Sequence, residues 1–257
     1  MELGLAGSKA IVAGASRGIG LAIATELRAH GASVAICARA ATGLDEARAA
    51  LESVAGEGTV FARPTDLADG ADTRAFVSEA VAALEGLDIY VHSASGFGDP
   101  TEVGWLRTLE IDLMAAMRGV EEARPSLEAS GAGSIVLIGS TASLQFFGRA
   151  GAGPSAYGPA KAAQRVYVND LAQTLGRYGI RANAISPGST MFEGGTWADV
   201  RDNDPQLWDV LVRQFPFRRL VTAEEVARVV AFVASPAASG INGTHVVVDG
   251  GQNKGVQ

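Results

Sequence analysis

Short apolar segments rich in β-branched residues alternate along the chain with longer Ala/Leu/Val-rich segments of helical period. Strands that are buried on both faces are continuously apolar, and the segments KAIVAG and SVAICA have this character. Regular alternation of such strands with helices predicts an α/β fold with a doubly wound parallel sheet of about seven strands and helices on both faces. The predicted strands are Lys9–Ala13, Ser33–Ala38, Thr59–Ala62, Asp88–His92, Ser134–Ile138, Arg181–Ile185 and His245–Val248, and the predicted helices span about 18–30, 44–55, 72–85, 101–128, 155–178 and 223–234.

The domain organisation is predicted to be simple. No linker-like change in composition and no repeat of fixed period divides the 257 residues, so we expect one domain over 1–257. The segment 188–221 is too long for an ordinary connection. It is interpreted either as a helical excursion that packs its aromatic residues on the body or, preferably, as a lid that forms an apolar substrate wall. Its large apolar side chains are Met191, Phe192, Trp197, Trp208, Phe215 and Phe217.

Composition excludes several classes of function. Asp and Glu number 28 against 21 Lys and Arg, and this net charge of −7 argues against a general nucleic-acid binder. The single cysteine, Cys37, excludes an internal disulfide and a thiolate metal cluster, and the three widely spaced histidines predict no metal site. The start of the chain has no signal-peptide pattern. We therefore expect a cytoplasmic protein that binds neither membrane nor nucleic acid.

A glycine-rich loop directly follows the first predicted strand and opens the first helix. Its glycines let the backbone turn tightly and approach a pyrophosphate, whose charge is favoured at a helix N-terminus. The spacing is G-x3-G-x-G rather than G-x-G-x-x-G, but its position after the first strand predicts a dinucleotide site in a Rossmann-type fold. The expected cofactor contacts in this loop are Gly14, Ser16, Arg17, Gly18, Ile19 and Gly20.

The end of the second strand bears on the choice of dinucleotide. A cofactor with a free ribose 2′-hydroxyl usually meets an acidic residue there, whereas this chain has Ala38 followed by Arg39. Arg17 adds a second guanidinium in the glycine loop, and paired guanidinium groups suit a 2′-phosphate. The sequence therefore predicts NADP(H) over NAD(H), the alternative being that both arginines are solvated surface residues.

Further motifs follow in order along the chain, and together they resemble the short-chain dehydrogenase/reductase (SDR) superfamily over nearly its whole length. Ser140 lies at the end of strand five and precedes Tyr157-Gly158-Pro159-Ala160-Lys161, a Tyr-x-x-x-Lys motif. The resemblance implies an adenine contact at Asp66-Leu67, a strand-six turn at Asn183–Gly188 and a closing strand in Gly243–Gly251. One such motif is weak evidence, but the ordered set is specific.

The resemblance also implies roles for the catalytic group. Tyr157 and Lys161 lie four residues apart on one helix face, so the ammonium can lie near the phenol and favour the phenolate. Tyr157 is then the general acid in reduction and the base in oxidation, while Lys161 tunes it and holds the ribose hydroxyls of the cofactor. Ser140 donates a hydrogen bond to the substrate oxygen. Ser143 and Ser155 are the alternative serines, and Ser140 is better placed at the strand end.

Two positions depart from the family pattern. After strand four, His92-Ser93-Ala94-Ser95-Gly96 replaces Asn-Asn-Ala-Gly, and its small residues still permit cofactor contacts at Ser93 and Ala94. His92 is interpreted as a residue that caps the strand end, with a titrating role as the alternative.

The second departure is Asp112, which stands where the family has a catalytic asparagine. In the family that residue helps to hold a water leading to the lysine, largely through its backbone carbonyl, so we expect activity to survive the substitution. An ionised, buried Asp112 would instead act directly on Lys161, and a purely local structural role is the third alternative.

The strand-six turn also differs, because its threonine stands two residues earlier than usual and Phe192 takes the common position. We still expect cofactor contacts from Pro187, Gly188 and Thr190.

These features predict an NADP(H)-dependent oxidoreductase that transfers hydride between the nicotinamide and a carbonyl or secondary alcohol, with reduction favoured. The aromatic residues of 188–221, with Phe146 and Phe147, favour an apolar substrate such as a 3-oxoacyl thioester, a cyclic ketone or a steroid-like alcohol. The alternative is a catalytically impaired NADP-binding sensor or scaffold protein. By family analogy, helices 101–128 and 155–178 predict a homo-oligomer, a tetramer or dimer.

Overall fold

The computed structural model describes residues 2–145 and 154–255, and its core is a seven-stranded parallel sheet. The strand order β3-β2-β1-β4-β5-β6-β9 reverses direction between β1 and β4, as a doubly wound sheet requires, so the predicted fold class is confirmed. Each predicted strand is present, with changes of at most two residues at any end. The strands are β1 Lys9–Ala13, β2 Ser33–Ala38, β3 Val60–Pro64, β4 Ile89–His92, β5 Ser134–Ile138, β6 Arg181–Pro187, β7 Thr190–Met191, β8 Val221–Thr222 and β9 His245–Val248.

The helices match the predicted segments, including the one at 101–128, which is helical without a break from 102 to 130. Two helices occupy this region, joined by a π-helical turn at Glu110–Met114. A π turn closes i→i+5 hydrogen bonds and adds one residue to the turn, so the residues after it are shifted by one position around the helix. The helices are α1 Gly18–Ala29, α2 Ala41–Ser53, α3 Gly70–Leu84, α4 Glu102–Leu109, α5 Ala115–Ser130, α6 Tyr157–Leu175, α7 Thr196–Asn203, α8 Pro205–Val212 and α9 Ala223–Ala234.

Both faces of the sheet are covered, which explains the continuously apolar strands. In β1, Val12 belongs to the core under α1 and α9, whereas Ile11 belongs to the core under α3, α5 and α6. Successive side chains of a strand point to opposite faces, so a strand covered on both faces needs apolar residues throughout.

The guanidinium of Arg181, at the start of β6, anchors the last helix. It donates to the carbonyl oxygens of Val233, Ala234 and Ser235 at the end of α9, at 2.8–3.1 Å, and to Ile241 at 3.1 Å. The final carbonyl groups of a helix have no partner within the helix, so this one side chain satisfies the end of α9.

The segment 188–221 folds as β7, α7 and α8 and joins β8 through a short parallel pair, Thr190 with Val221. Helix α8 has no buried residue, whereas Phe215, just beyond it, is buried and Phe217 is exposed. The segment is thus attached to the body at both ends and loosely packed at α8.

Within the described residues, no helix is long and apolar enough to cross a membrane. Across 2–145 and 154–255, no group of three or more His, Cys, Asp and Glu side chains is arranged to hold a metal ion.

Candidate active site

The glycine loop between β1 and α1 is closed tightly against the segment that follows β4. Gly14 has a φ of +84°, and a Cβ at this position would lie 2.7 Å from the backbone of Ala94. A Cβ on Gly20 would lie 2.1 Å from the carbonyl oxygen of Gly14. Only glycine fits at either position, so these two residues set the shape of the loop.

The N-terminus of α1 is suited to binding a pyrophosphate. Arg17 is the N-cap residue, and its side chain makes no capping hydrogen bond to the first-turn N–H groups. A helix N-terminus of this kind attracts an anion through its N–H groups and its dipole. An N-terminus without a side-chain cap, directly after a glycine loop, fits the diphosphate of a nicotinamide dinucleotide.

The structure brings the other predicted cofactor residues to the same edge of the sheet, because each follows the carboxyl end of a parallel strand. Arg39 follows β2 and is exposed, as is Arg17 in the glycine loop. Asp66 is exposed beyond β3 and Leu67 beside it is buried. The remaining members at this edge are Ser16, Ile19, Ser93, Ala94, Pro187 and Gly188.

Phe192 lies over the glycine loop. A Cβ on Gly18 would be 3.0 Å from the Phe192 ring, and one on Gly195 would be 2.7 Å from it. Thr190 is buried, and its hydroxyl donates to the carbonyl oxygen of Gly188 at 3.0 Å. The proton of that hydroxyl is therefore used within the turn. Thr190 can still accept a hydrogen bond from the carboxamide of a nicotinamide through its oxygen.

Helix α6 presents the Tyr-x-x-x-Lys pair toward the end of β5. Tyr157 is its first residue, and the Nζ of Lys161 lies 5.7 Å from the centroid of the Tyr157 ring. Lys161 is buried and donates to the carbonyl oxygen of Ile138 at 2.8 Å and to Asp112 Oδ1 at 2.9 Å. An ammonium has three N–H groups, so two of them fix the lysine and the third remains for a ligand.

The carboxylate of Asp112, rather than its backbone carbonyl, meets the lysine. The side chain of Asp112 is fully buried in the π turn, and it also accepts from Ser95 Oγ at 2.9 Å and from the N–H of Gly96 at 2.7 Å. The backbone carbonyl of Asp112 instead accepts from Gln164 Nε2 at 2.5 Å. The structure therefore shows a direct ion pair between Asp112 and Lys161, which is one of the alternatives that the sequence left open.

Gln164 was missed by sequence reasoning. It is fully buried on α6, three residues after Lys161 and on the same face of the helix. The spacing of three residues from Lys161 was the sign in the sequence that Gln164 lies on the same face of the helix, where a buried polar side chain needs a hydrogen-bond partner.

The three candidate serines have different surroundings. Ser140 follows β5, and its hydroxyl oxygen accepts from the N–H of Ala142 at 3.1 Å, which leaves its proton for a ligand. The hydroxyl of Ser143 donates to the carbonyl oxygen of Ser140 at 2.7 Å, and Ser155 accepts from the N–H of Tyr157. The proton of Ser143 is thus used within a local turn, whereas Ser140 and Ser155 each keep a proton to donate. Of these two, Ser140 is half-buried and Ser155 is exposed.

His92 is the last residue of β4 and is fully buried. Its Nε2 lies 3.0 Å from the carbonyl oxygen of Ile111, so Nε2 carries the proton and donates. Burial, reinforced by the nearby Lys161 cation, lowers the pKa of His92 to about 4, so the ring is neutral at pH 7. The imidazole therefore binds the π turn of the next helical region, rather than capping its own strand or titrating near neutrality.

Phe97 is an aromatic side chain at the site that sequence reasoning also missed. Its ring stacks on the ring of Tyr157 with centroids 4.7 Å apart and an interplanar angle of 26°. Phe146 and Phe147, which the sequence suggested as part of the substrate wall, lie outside the described residues.

Comparison with known proteins agrees with this fold. The family described as Enoyl-(Acyl carrier protein) reductase matches residues 14–253. Isoepoxydon dehydrogenase from Penicillium expansum is 34% identical over 263 residues, covering 100% of this chain and 99% of its own. The chain belongs to the short-chain dehydrogenase/reductase superfamily. It is an oxidoreductase of the kind that acts on alcohols and carbonyl compounds.

Two solved structures resemble the whole chain. L-sorbose reductase from Gluconobacter frateurii, solved with NADPH and L-sorbose, superposes with a TM-score of 0.89 at 28% identity, covering 100% of both chains. A 7α-hydroxysteroid dehydrogenase solved with NADH and 7-oxo glycochenodeoxycholic acid gives a TM-score of 0.87 at 27% identity, covering 100% of this chain and 98% of its own. Both dinucleotides thus occur among proteins of this shape.

Proposed function

We propose that the protein is an NADP(H)-dependent reductase of an apolar ketone, with the corresponding secondary alcohol as product. The observation that carries the proposal is the arrangement of Lys161, which is buried and fixed by Asp112 and Ile138 with one N–H left beside Tyr157. A fully buried, paired cation has little value for folding compared with an apolar side chain, so its presence favours a catalytic role.

The chemistry divides among three side chains. A bound nicotinamide supplies or accepts the hydride. The Tyr157 hydroxyl donates a proton to the carbonyl oxygen in reduction, and the Lys161 ammonium beside it favours the resulting phenolate. Ser140 donates a hydrogen bond to the same oxygen as negative charge develops there. Asp112 holds the ammonium in place and balances its charge within the buried site.

Loss of the tyrosine hydroxyl tests the assignment. Oxidation of NADPH would be followed by its ultraviolet absorbance against a panel of ketones, diketones and oxoacyl thioesters. We expect Tyr157→Phe to lower kcat by about 100-fold or more, because general acid catalysis contributes at least that much. Ser140→Ala is expected to lower kcat by a similar factor. Full turnover by Tyr157→Phe would refute the assigned acid, and NADPH binding without turnover on any carbonyl would favour the sensor or scaffold alternative.

The preference for NADP(H) rests on Arg17 and Arg39. Both guanidinium groups are exposed at the dinucleotide edge of the sheet, and neither Ala38 nor Ala40 offers the carboxylate that a free 2′-hydroxyl requires. Charge-assisted hydrogen bonds contribute about 1.5–3 kcal/mol, so Arg39→Ala is expected to raise the Kd for NADPH by about 10-fold to 100-fold while leaving the Kd for NADH nearly unchanged. Arg48→Ala, at an exposed position on α2, is the matched control. Tighter binding of NADH than NADPH by the unaltered protein would refute the preference.

The proposals of an apolar substrate and of a lid are both based on the segment 188–221. Its α8 lacks buried residues, yet the segment is anchored by the β7–β8 pair and by Phe215. A loosely packed helix held at both ends suits a lid that closes over a substrate, so we assign 188–221 this role within a single domain.

We also propose that the protein forms a homo-oligomer. Three large apolar side chains on the outer faces of α4 and α6 are at least 61% exposed: Val103, Leu106 and Val166. Exposed apolar residues grouped on adjacent helices favour association with a second copy. A monomeric mass in solution, measured by light scattering, would contradict this.

A further inference from the structure

The turn after β6, which carries the expected cofactor contacts Gly188 and Thr190, is bound by a side chain from near the end of the chain. The N–H of Ser189 donates to Gln252 Oε1 at 2.7 Å, and Gln252 Nε2 donates to Ser189 Oγ at 3.2 Å. The N–H of Gly188 donates to the carbonyl oxygen of Val248, at the end of β9, at 3.0 Å. One carboxamide thus binds both the backbone and the hydroxyl of the residue between the two expected contacts.

The contact between Gln252 and this turn is close and largely withdrawn from water. A Cβ on Gly188 would lie 2.5 Å from Gln252 Oε1, so the carboxamide packs directly on Gly188. Ser189 is buried and Gln252 is half-buried. A buried N–H group needs a hydrogen-bond partner, and Gln252 supplies the one for Ser189.

Gln252 is itself fixed by a turn that begins directly after β9. Its N–H donates to the carbonyl oxygen of Asp249 at 3.2 Å. The carboxylate of Asp249 accepts from the N–H of Gly251 at 2.8 Å and from that of Asn253 at 2.7 Å. Residues near a chain end are ordered only where they are tied down, and this segment is tied to the turn after β6 rather than to the core.

We propose that Gln252 is a positioning residue for the nicotinamide half of the dinucleotide, acting through the backbone of Ser189. A turn that already has its binding conformation need not be ordered when the ligand arrives, which improves affinity. The inference rests on the proposed function for the identity of the ligand. It concerns one half of that ligand, because Arg39, on which the adenosine half depends, follows β2, four strands away from β6 in the sheet.

Two ligands and a matched control separate this role from a general structural one. The Kd of NADPH and the Kd of adenosine 2′,5′-bisphosphate, which lacks the nicotinamide half, would be measured by isothermal titration calorimetry. We expect Gln252→Ala to raise the Kd of NADPH by about 10-fold and to leave that of the bisphosphate unchanged. Ser189→Ala removes one of the two hydrogen bonds and is expected to raise the Kd of NADPH by about 3-fold. Asn253→Ala, which removes a local contact with the N–H of Gly255, should change neither Kd.

An unchanged Kd of NADPH in Gln252→Ala would overturn the inference. Equal rises for both ligands would overturn it as well, because they would show a general loosening of the protein. Should Gln252→Ala fail to fold, an unchanged Kd of NADPH in Ser189→Ala would have the same meaning. A preference of the unaltered protein for NADH would refute only the proposed choice of dinucleotide, and the same comparison would then be made with NADH and AMP.

Discussion

The buried ion pair between Asp112 and Lys161 gives the sharpest prediction for stability. The two side chains are 0% and 3% exposed, and their 2.9 Å contact is supported by hydrogen bonds from Ser95 and Gly96 to the carboxylate. Asp112→Asn keeps the shape of the side chain but removes its charge. The new amide N–H groups would also face Lys161, Ser95 or the N–H of Gly96, which are themselves donors. Removal of one partner of a buried ion pair costs about 3–5 kcal/mol, because the other charge is left buried and uncompensated.

A loss of that size is a large fraction of the stability of a domain. We expect the free energy of unfolding of Asp112→Asn, measured by urea denaturation, to fall by about 3 kcal/mol or more, with a fall in Tm of about 10 °C. The kcat for ketone reduction should fall as well, because the lysine is no longer held. The control is Glu52→Gln, which breaks the exposed pair with Arg48 and should cost less than about 1 kcal/mol.

Two results would refute this reasoning. The first is a loss of stability in Asp112→Asn no larger than that in Glu52→Gln, and the second is a large gain in kcat, which would show that the carboxylate impairs catalysis. Combining Asp112→Asn with Lys161→Met isolates the pair. We expect the double variant to be more stable than the sum of the single losses predicts, by more than about 1 kcal/mol.

Two further predictions concern His92, which is fully buried, and Arg181, which is partly buried. His92 has a folded pKa of about 4 against about 6.5 when unfolded, so the unfolded chain binds more protons between these values and stability must fall as the pH falls through that window. His92→Asn should therefore flatten the dependence of the free energy of unfolding on pH between about 6.5 and 4, by up to about 3 kcal/mol, and an unchanged slope would contradict this. Arg181→Met should cost about 3 kcal/mol or more in urea denaturation, since it leaves carbonyl groups at the end of α9 without a donor, and a loss as small as that of the exposed Arg201→Met would contradict this.

The fold was predictable because its strands and helices leave strong hydrophobic patterns in the sequence. A parallel sheet covered on both faces requires apolar residues at every strand position, and KAIVA in β1 and SIVLI in β5 meet this requirement without interruption. The glycine loop was predictable for a different reason, since Gly14 and Gly20 occupy positions where any Cβ would collide with backbone atoms. Constraints that act on the backbone or on a whole segment leave a pattern in the sequence.

The details of the active site left no such pattern. That the carboxylate of Asp112 reaches Lys161 depends on the π turn, which rotates the helix by one residue and changes which atoms face inward. The stacking of Phe97 on Tyr157 joins residues sixty positions apart through a strained loop, and the short motif around Phe97 contains only small residues besides it. These are tertiary contacts between single side chains, and such contacts leave no periodic pattern in the sequence.

The departures from the family pattern at His92 and Asp112 are structurally linked through the π turn. A π turn replaces i→i+4 hydrogen bonds by i→i+5 bonds, and two carbonyl groups of this turn also accept hydrogen bonds from buried side chains. The carbonyl of Ile111 accepts a hydrogen bond from His92 Nε2, and the carbonyl of Asp112 accepts one from Gln164 Nε2. One donor comes from β4 and the other from α6, so the turn is fixed both to the sheet and to α6. His92 and Asp112 therefore belong to one arrangement, in which the π turn holds the Asp112 carboxylate against Lys161. An asparagine at only one of the two positions would leave the other residue without the contacts it makes here.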